Sequence, residues 1–228
     1  MIVIKNPRLR RVLHTVLPWV VLPALAIASP FVFRDRGWLF LSLLSAAAAL
    51  LYFISGFEKK RTGTRRLIIV AVFTALSVVG RFIPLFKPVS ALTIIAGVYL
   101  GGESGFLVGS LSALLSDFYF GQGPWTPFQM LAWGLVGLLA GLCGSYLKRK
   151  RLRIALSGIP AGILFSFVMD VWTVIWINGA PDAGLYLASL AAAVPMTALY
   201  CASNVLFLWF LAPPFGEKLE RVKLIYGV

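Results

Sequence analysis

Residues 117 to 130 read DFYFGQGPWTPFQM and set hydrogen-bonding side chains beside aromatic rings, between two long apolar runs. Asp117, Gln122, Thr126 and Gln129 offer donors and acceptors, and Tyr119 and Trp125 offer flat apolar faces. A few polar groups among aromatic rings is the composition of a small-molecule pocket: rings supply contact area and polar groups fix orientation. Gly121, Gly123, Pro124 and Pro127 predict a turn here, because glycine opens positive φ and proline fixes its own. Trp133 follows Gln129 by four residues, so a helix puts both on one face. It reads as pocket wall or as packed core. A second set comprises Asp170, Trp172 and Trp176, with the two rings again four apart. Trp176 fits an interfacial aromatic belt equally well. An acid within an apolar run needs a partner or a ligand. Asp117 and Asp170 are placed to hold a ligand, with Arg81 the expected partner of Asp170.

Other chemistry is missing. Residues 102 to 105, GESG, match the Gly-x-Ser-Gly signature of rhomboid-type intramembrane proteases, whose serine needs a histidine base. The one histidine is His14, far away in sequence, so the motif reads as a tight turn. There is no Gly-x-x-x-x-Gly-Lys-Ser/Thr phosphate loop, so this chain is not expected to hydrolyse ATP. Neither a paired-acid site nor a His/Cys metal cluster can be assembled. No enzyme activity, no metal and no bound cofactor are expected. Cys143 and Cys201 fall inside apolar runs and read as small buried hydrophobes.

Hydrophobic residues make up 60% of the 228 and charged residues 13%, which excludes an ordinary soluble domain and defines a polytopic membrane protein. Spans of the required length are expected near 11 to 33, 38 to 57, 66 to 83, 89 to 101, 103 to 120, 126 to 147, 153 to 177 and 184 to 211. That is an all-α protein of about eight helices. The fourth is short and must be shielded by its neighbours, because lipid does not tolerate exposed backbone. Pro18 and Pro23 predict a bend in the first. The net charge of +13 is parcelled out between spans rather than gathered on one face, so nucleic acid is not the partner.

Seventeen of the 21 Lys and Arg residues fall in alternate loops: Lys5, Arg8, Arg10 and Arg11; Lys59, Lys60, Arg61, Arg65 and Arg66; Lys148, Arg149, Lys150, Arg151 and Arg153; Lys218, Arg221 and Lys223. Arg34, Arg36, Arg81 and Lys87 fall on the other side. The positive-inside rule then puts both termini in the cytoplasm and the segment around Trp125 outside. The charged stretch from 58 to 66 divides the chain into a two-helix hairpin with its linker, 1–63, and a six-helix core, 64–228. The hairpin reads as a lipid-facing addition or an assembly aid. Gly105, Gly109 and Ala113, and likewise Gly137 and Gly141, recur at four-residue spacing and predict close helix approaches. Ala71 and Ala75 make a similar small face, suited either to internal packing or to docking another membrane subunit.

Six core helices opening on Ala71-x-x-x-Ala75, with the outward GQGPWTPFQM stretch, resemble an S component, the substrate-binding subunit of an energy-coupling factor (ECF) vitamin transporter. The resemblance covers about residues 64 to 215. It implies a protein of the bacterial cytoplasmic membrane that captures a vitamin or precursor outside and topples in the bilayer to release it inside. It also implies a transmembrane T component, met through Ala71 and Ala75, and two cytoplasmic ATPases that hydrolyse the ATP. The Trp-Thr-Pro stretch is similar to that of S components assigned to cobalamin or related corrinoids. The same groups would also serve a flat heteroaromatic precursor. The rival reading is a self-sufficient secondary transporter or facilitator for a small metabolite.

Overall fold

The computed structural model describes residues 6–31, 37–56 and 63–226. Lys5, Arg34, Arg36, Lys59, Lys60 and Arg61 lie outside the described residues, as does most of the linker that closes the hairpin. The described chain forms α1 (Pro7–Val16), a π-helical turn (Leu17–Val21), α2 (Leu22–Ala28), α3 (Gly37–Ser55), α4 (Gly63–Gly80), α5 (Val89–Leu100) and α6 (Gly102–Phe120). There follow α7 (Thr126–Leu142), the short α8 (Gly144–Leu147) and α9 (Arg151–Leu156), then α10 (Gly158–Asn178) and α11 (Ala183–Tyr226). No strand occurs among the described residues. The runs Pro7–Ala28, Arg151–Asn178 and Ala183–Ile225 are long and apolar enough to cross a membrane, and Leu39–Ser55, Val89–Leu100 and Thr126–Leu142 are shorter apolar helices. The molecule is an all-α membrane protein.

Proline explains the first bend. Pro18 has no N–H to continue the α-helical ladder, and the chain widens into a π turn there before resuming as α2. The same residue type could have ended α11, which was expected to stop near 211 but runs to 226 through Pro213 and Pro214. Pro213 cannot donate to the carbonyl of Trp209 four residues back. Arg151 does so instead, from Nε at 3.0 Å and Nη2 at 2.7 Å, with its guanidinium 4.2 Å from the Trp209 ring centre. Beyond the break, Phe215 packs edge-on against Phe73 at 5.3 Å, and Gly216 leaves room for the Tyr99 hydroxyl.

The short α5 is shielded as the bilayer requires: every residue from Val89 to Val98 is buried, under α4, α6, α7 and α11. The most extensive contact in the core is between α6 and α7. A Cβ at Gly137 would overlap the backbone of Gly105, and one at Gly109 would overlap the carbonyl of Trp133. Ser110 Oγ donates across the seam to the Met130 carbonyl at 3.0 Å. The glycine spacing thus sets a backbone-to-backbone approach that no other residue permits. Gly137→Ala is expected to cost about 1–3 kcal/mol by overpacking, read as a lowered melting temperature of the purified chain in detergent.

The hairpin is more than a lipid-facing addition, because it packs onto α6 and α7. Tyr52 of α3 lies between the His14 ring at 5.0 Å and the Phe106 ring at 5.5 Å. At the far end Ser29 Oγ donates to the Pro124 carbonyl at 2.8 Å and so touches the turn before α7. The hairpin leaves one face of α4 uncovered: Ile68, Ala71, Val72, Ala75 and Val79 are all exposed. Cys143 departs from expectation, since α7 ends one residue earlier and its thiol is exposed rather than buried. Cys201 is half-buried and donates to the Ile159 carbonyl.

Candidate functional site

The turn between α6 and α7 is built by its own side chains. Gly121, at φ 108°, ends α6. The N–H of Gly123 donates to Thr126 Oγ1 at 3.3 Å, and the N–H of Thr126 donates back to the Gly123 carbonyl at 3.0 Å. Pro127 then sits in the first turn of α7, where its missing N–H costs nothing. Gly123 cannot carry a Cβ because the Trp125 ring fills that space. Gln122 Nε2 donates to the Leu114 carbonyl at 2.9 Å and ties the turn to α6.

Asp117 holds this assembly together. Its Oδ1 accepts from Arg81 Nη1 at 2.5 Å and its Oδ2 accepts from Thr126 Oγ1 at 2.8 Å. Arg81 also donates to Ser116 Oγ. The carboxylate is 1% exposed with both oxygens engaged, so it joins α4, α6 and α7 and presents nothing to a ligand. This corrects the expected pairing, because the partner of Arg81 is Asp117 and not Asp170. The reason is position: Arg81 follows α4, which packs on α6 rather than on α10. Asp170 accepts instead from Ser166 Oγ at 3.3 Å, whose own oxygen accepts from Thr197 Oγ1 at 2.7 Å.

A cavity of about 90 Å3 lies beside the ion pair. From α7 come Gln129 and Trp133; from the α4–α5 connection, Arg81 and Lys87; from α10 and α11, Phe165, Tyr200 and Asn204. Trp133 stacks on Phe165 at 5.1 Å with 27° between planes, and Tyr200 meets Phe165 edge-on at 5.6 Å. The Arg81 guanidinium lies 5.2 Å from the Trp133 ring centre. Asn204 Nδ2 donates to the Gly158 carbonyl at 3.2 Å, which fastens α11 to α10. The Gln129 carboxamide makes no hydrogen bond among the described residues, and its Oε1 is buried.

Three of the expected site residues, Arg81, Gln129 and Trp133, therefore meet at this cavity. Asp117, Gln122 and Thr126 form the turn behind it. Tyr119 is 72% exposed and packs outward on Phe82 at 4.6 Å. Trp125 meets Trp172 edge-on at 5.9 Å, and Trp172 stacks on Trp176 at 6.0 Å, a ladder of rings that does not line the cavity. Trp176 is 55% exposed, as a belt residue would be. Lys87, Phe165, Tyr200 and Asn204 were not expected in the site. The available signals were a lone cation in a short loop away from the basic clusters, and Tyr200 and Asn204 four apart on one helical face.

At the opposite end, Ser104 Oγ accepts from Arg66 Nε at 2.7 Å and donates to the Leu100 carbonyl at 3.1 Å. His14 Nε2 bonds Glu103 Oε1 at 2.8 Å instead. The serine and the histidine are thus turned to different partners. A wider groove of about 520 Å3, walled by Val136, Leu139, Pro160 and Leu164, is apolar and lies toward this basic end. Among the described residues no group of three or more His, Cys, Asp or Glu could hold a metal ion.

The fold is that of an all-α membrane protein whose polar and aromatic side chains converge at one end of a helical core. The chain belongs to the family of the ECF-type riboflavin transporter S component, whose model matches residues 61–220. That match takes in α4 to α10 and most of α11 and leaves the hairpin outside. No curated protein and no solved structure matches the chain. The family is one of transporter subunits rather than of enzymes, and carries with it a small-molecule ligand and ECF partner subunits.

Proposed function

We propose that this chain captures a flavin, riboflavin or a close derivative, on the outer face of a bacterial cytoplasmic membrane and delivers it inward when coupled to a T component and two ATPases. The observation that carries the reading is the cavity itself: stacked rings of Trp133 and Phe165 beside the unpaired carboxamide of Gln129. A flat heteroaromatic ring stacks on such a wall. A carboxamide with both its atoms free complements an imide edge, accepting the ring N–H and donating to a ring carbonyl. The family name points to the same ligand. Orientation rests on charge: Arg66, Lys148 and the exposed Arg151 lie toward the GESG end, and among the described residues Arg81 and Lys87 lie toward the cavity.

At about 90 Å3 the cavity takes several waters and is smaller than the ~300–1,000 Å3 that ligand sites occupy. Capture therefore requires its walls to part. The element best placed to move is the exposed segment 82–85, which joins the lining residues Arg81 and Lys87 and in which Leu85 adopts φ 61° without being glycine. A corrinoid, suggested by the Trp-Thr-Pro stretch, would require a far wider opening than a flavin.

The test is calorimetric titration of the detergent-purified chain with riboflavin, cobalamin and cobinamide. One-to-one binding of riboflavin alone supports the proposal; binding of a corrinoid alone overturns the choice of ligand. Uptake into vesicles holding this chain without partners or ATP would favour the solitary transporter. The uncovered face of α4 gives a second handle on the coupling. Ala71→Trp and Ala75→Trp are expected to abolish co-purification with the T component while riboflavin still titrates, because a ring there prevents close helix approach.

A further inference from the structure

The cavity has a charge that nothing in its walls balances. Arg81 and Lys87 both line it, and no carboxylate does. Arg81 is neutralised from behind by Asp117 and its guanidinium is spread between the Phe120 and Trp133 rings, at 5.0 and 5.2 Å. Lys87 has no such partner among the described residues; its backbone carbonyl accepts from Ser203 Oγ at 3.3 Å, which fixes the loop against α11. Burial, and then the Arg81 charge, hold its ammonium below the usual lysine value. A half-buried cation facing another cation is a cost in the free protein. It turns into a gain when an anion enters, because the ammonium then recovers both a counter-charge and hydrogen bonds.

We infer that the ligand bears a negatively charged group, a phosphate ester or carboxylate, which docks on Lys87 while its ring occupies the Trp133 and Gln129 wall. The inference rests on the flavin reading and adds to it the ionic state of the cargo. The two ends of the site divide the work. Gln129, 9% exposed and unpaired, is neutral and selects the ring edge, and Lys87 selects the charge.

Riboflavin and riboflavin 5′-phosphate are the probes, titrated against the full chain, Lys87→Gln and Lys87→Arg at two salt concentrations. The expected result is a preference for the phosphate ester of roughly tenfold or more, the size of one charge-assisted hydrogen bond. That preference should fall as salt rises, collapse to about one in Lys87→Gln and persist in Lys87→Arg. Equal affinity for the two flavins in the parent chain, or a preference that survives Lys87→Gln, overturns the inference and leaves the flavin reading intact. If a folded sample binds neither flavin, the flavin reading falls and the inference falls with it. The melting temperature of each variant, measured alongside, separates a lost contact from a lost fold.

Discussion

Gln129→Met is expected to raise the thermal stability of the chain and to weaken flavin binding in the same variant. The carboxamide is buried with no hydrogen bond, and an unsatisfied buried polar group costs about 1–3 kcal/mol. Methionine fills nearly the same volume with an adaptable apolar chain and removes that cost. A gain near 1 kcal/mol moves the melting temperature of a protein this size up by about 2–4 °C. The opposite holds for binding. A site built to pair with an imide edge loses about tenfold to a hundredfold in affinity when the pairing group goes, because the ligand's N–H and carbonyl are then buried unpaired. A thermal melt and a riboflavin titration on one preparation check both. A lower melting temperature with unchanged affinity would make Gln129 an ordinary packing residue.

Asp117→Ala should cost about 3–5 kcal/mol of stability, the loss seen when one member of a buried ion pair is removed. Arg81, with its side chain 12% exposed, would keep its charge without a counter-ion, and Thr126 would lose the acceptor that seats the start of α7. The informative control is the double variant Asp117→Leu with Arg81→Met. It removes both charges and should recover most of the loss, since apolar side chains of similar volume replace buried pairs at little cost. Recovery in the double variant identifies the role as structural. If Asp117→Ala instead melts like the parent chain and fails only to bind ligand, Asp117 belongs to the ligand after all.

The ligand-facing and the structural parts of the segment from 117 to 130 were hard to separate before the fold was known. Asp117, Gln122, Thr126 and Gln129 are alike in sequence, all polar and all beside aromatics. Three of them hydrogen-bond to one another or to the backbone, Gln122 through Nε2 with its Oε1 left unpaired, and the Gln129 carboxamide alone makes no such bond. Which of them is spent depends on what stands opposite, and Arg81 is 36 residues away from Asp117. The same holds for the rings. Trp133 could be placed on the Gln129 face by its spacing, but its stacking partner Phe165 lies on another helix.

Local rules went furthest where one residue acts on its own neighbourhood. Apolar run length located the helices, proline the π turn near Pro18, glycine the turn at 121–123, and four-residue glycine spacing the close seam of α6 and α7. Charge in alternate loops determined which end the basic residues share. These follow from the sequence by itself because helix geometry and lipid solvation act over a few residues or over a whole span. Tertiary structure alone decided the remainder: that Arg81 answers Asp117, that Arg151 lets α11 pass through Pro213, that the hairpin braces α6 and α7, and that Lys87 faces a cavity with no acid in it. Each of these depends on side chains brought together from distant helices, and no local periodicity records which faces will meet.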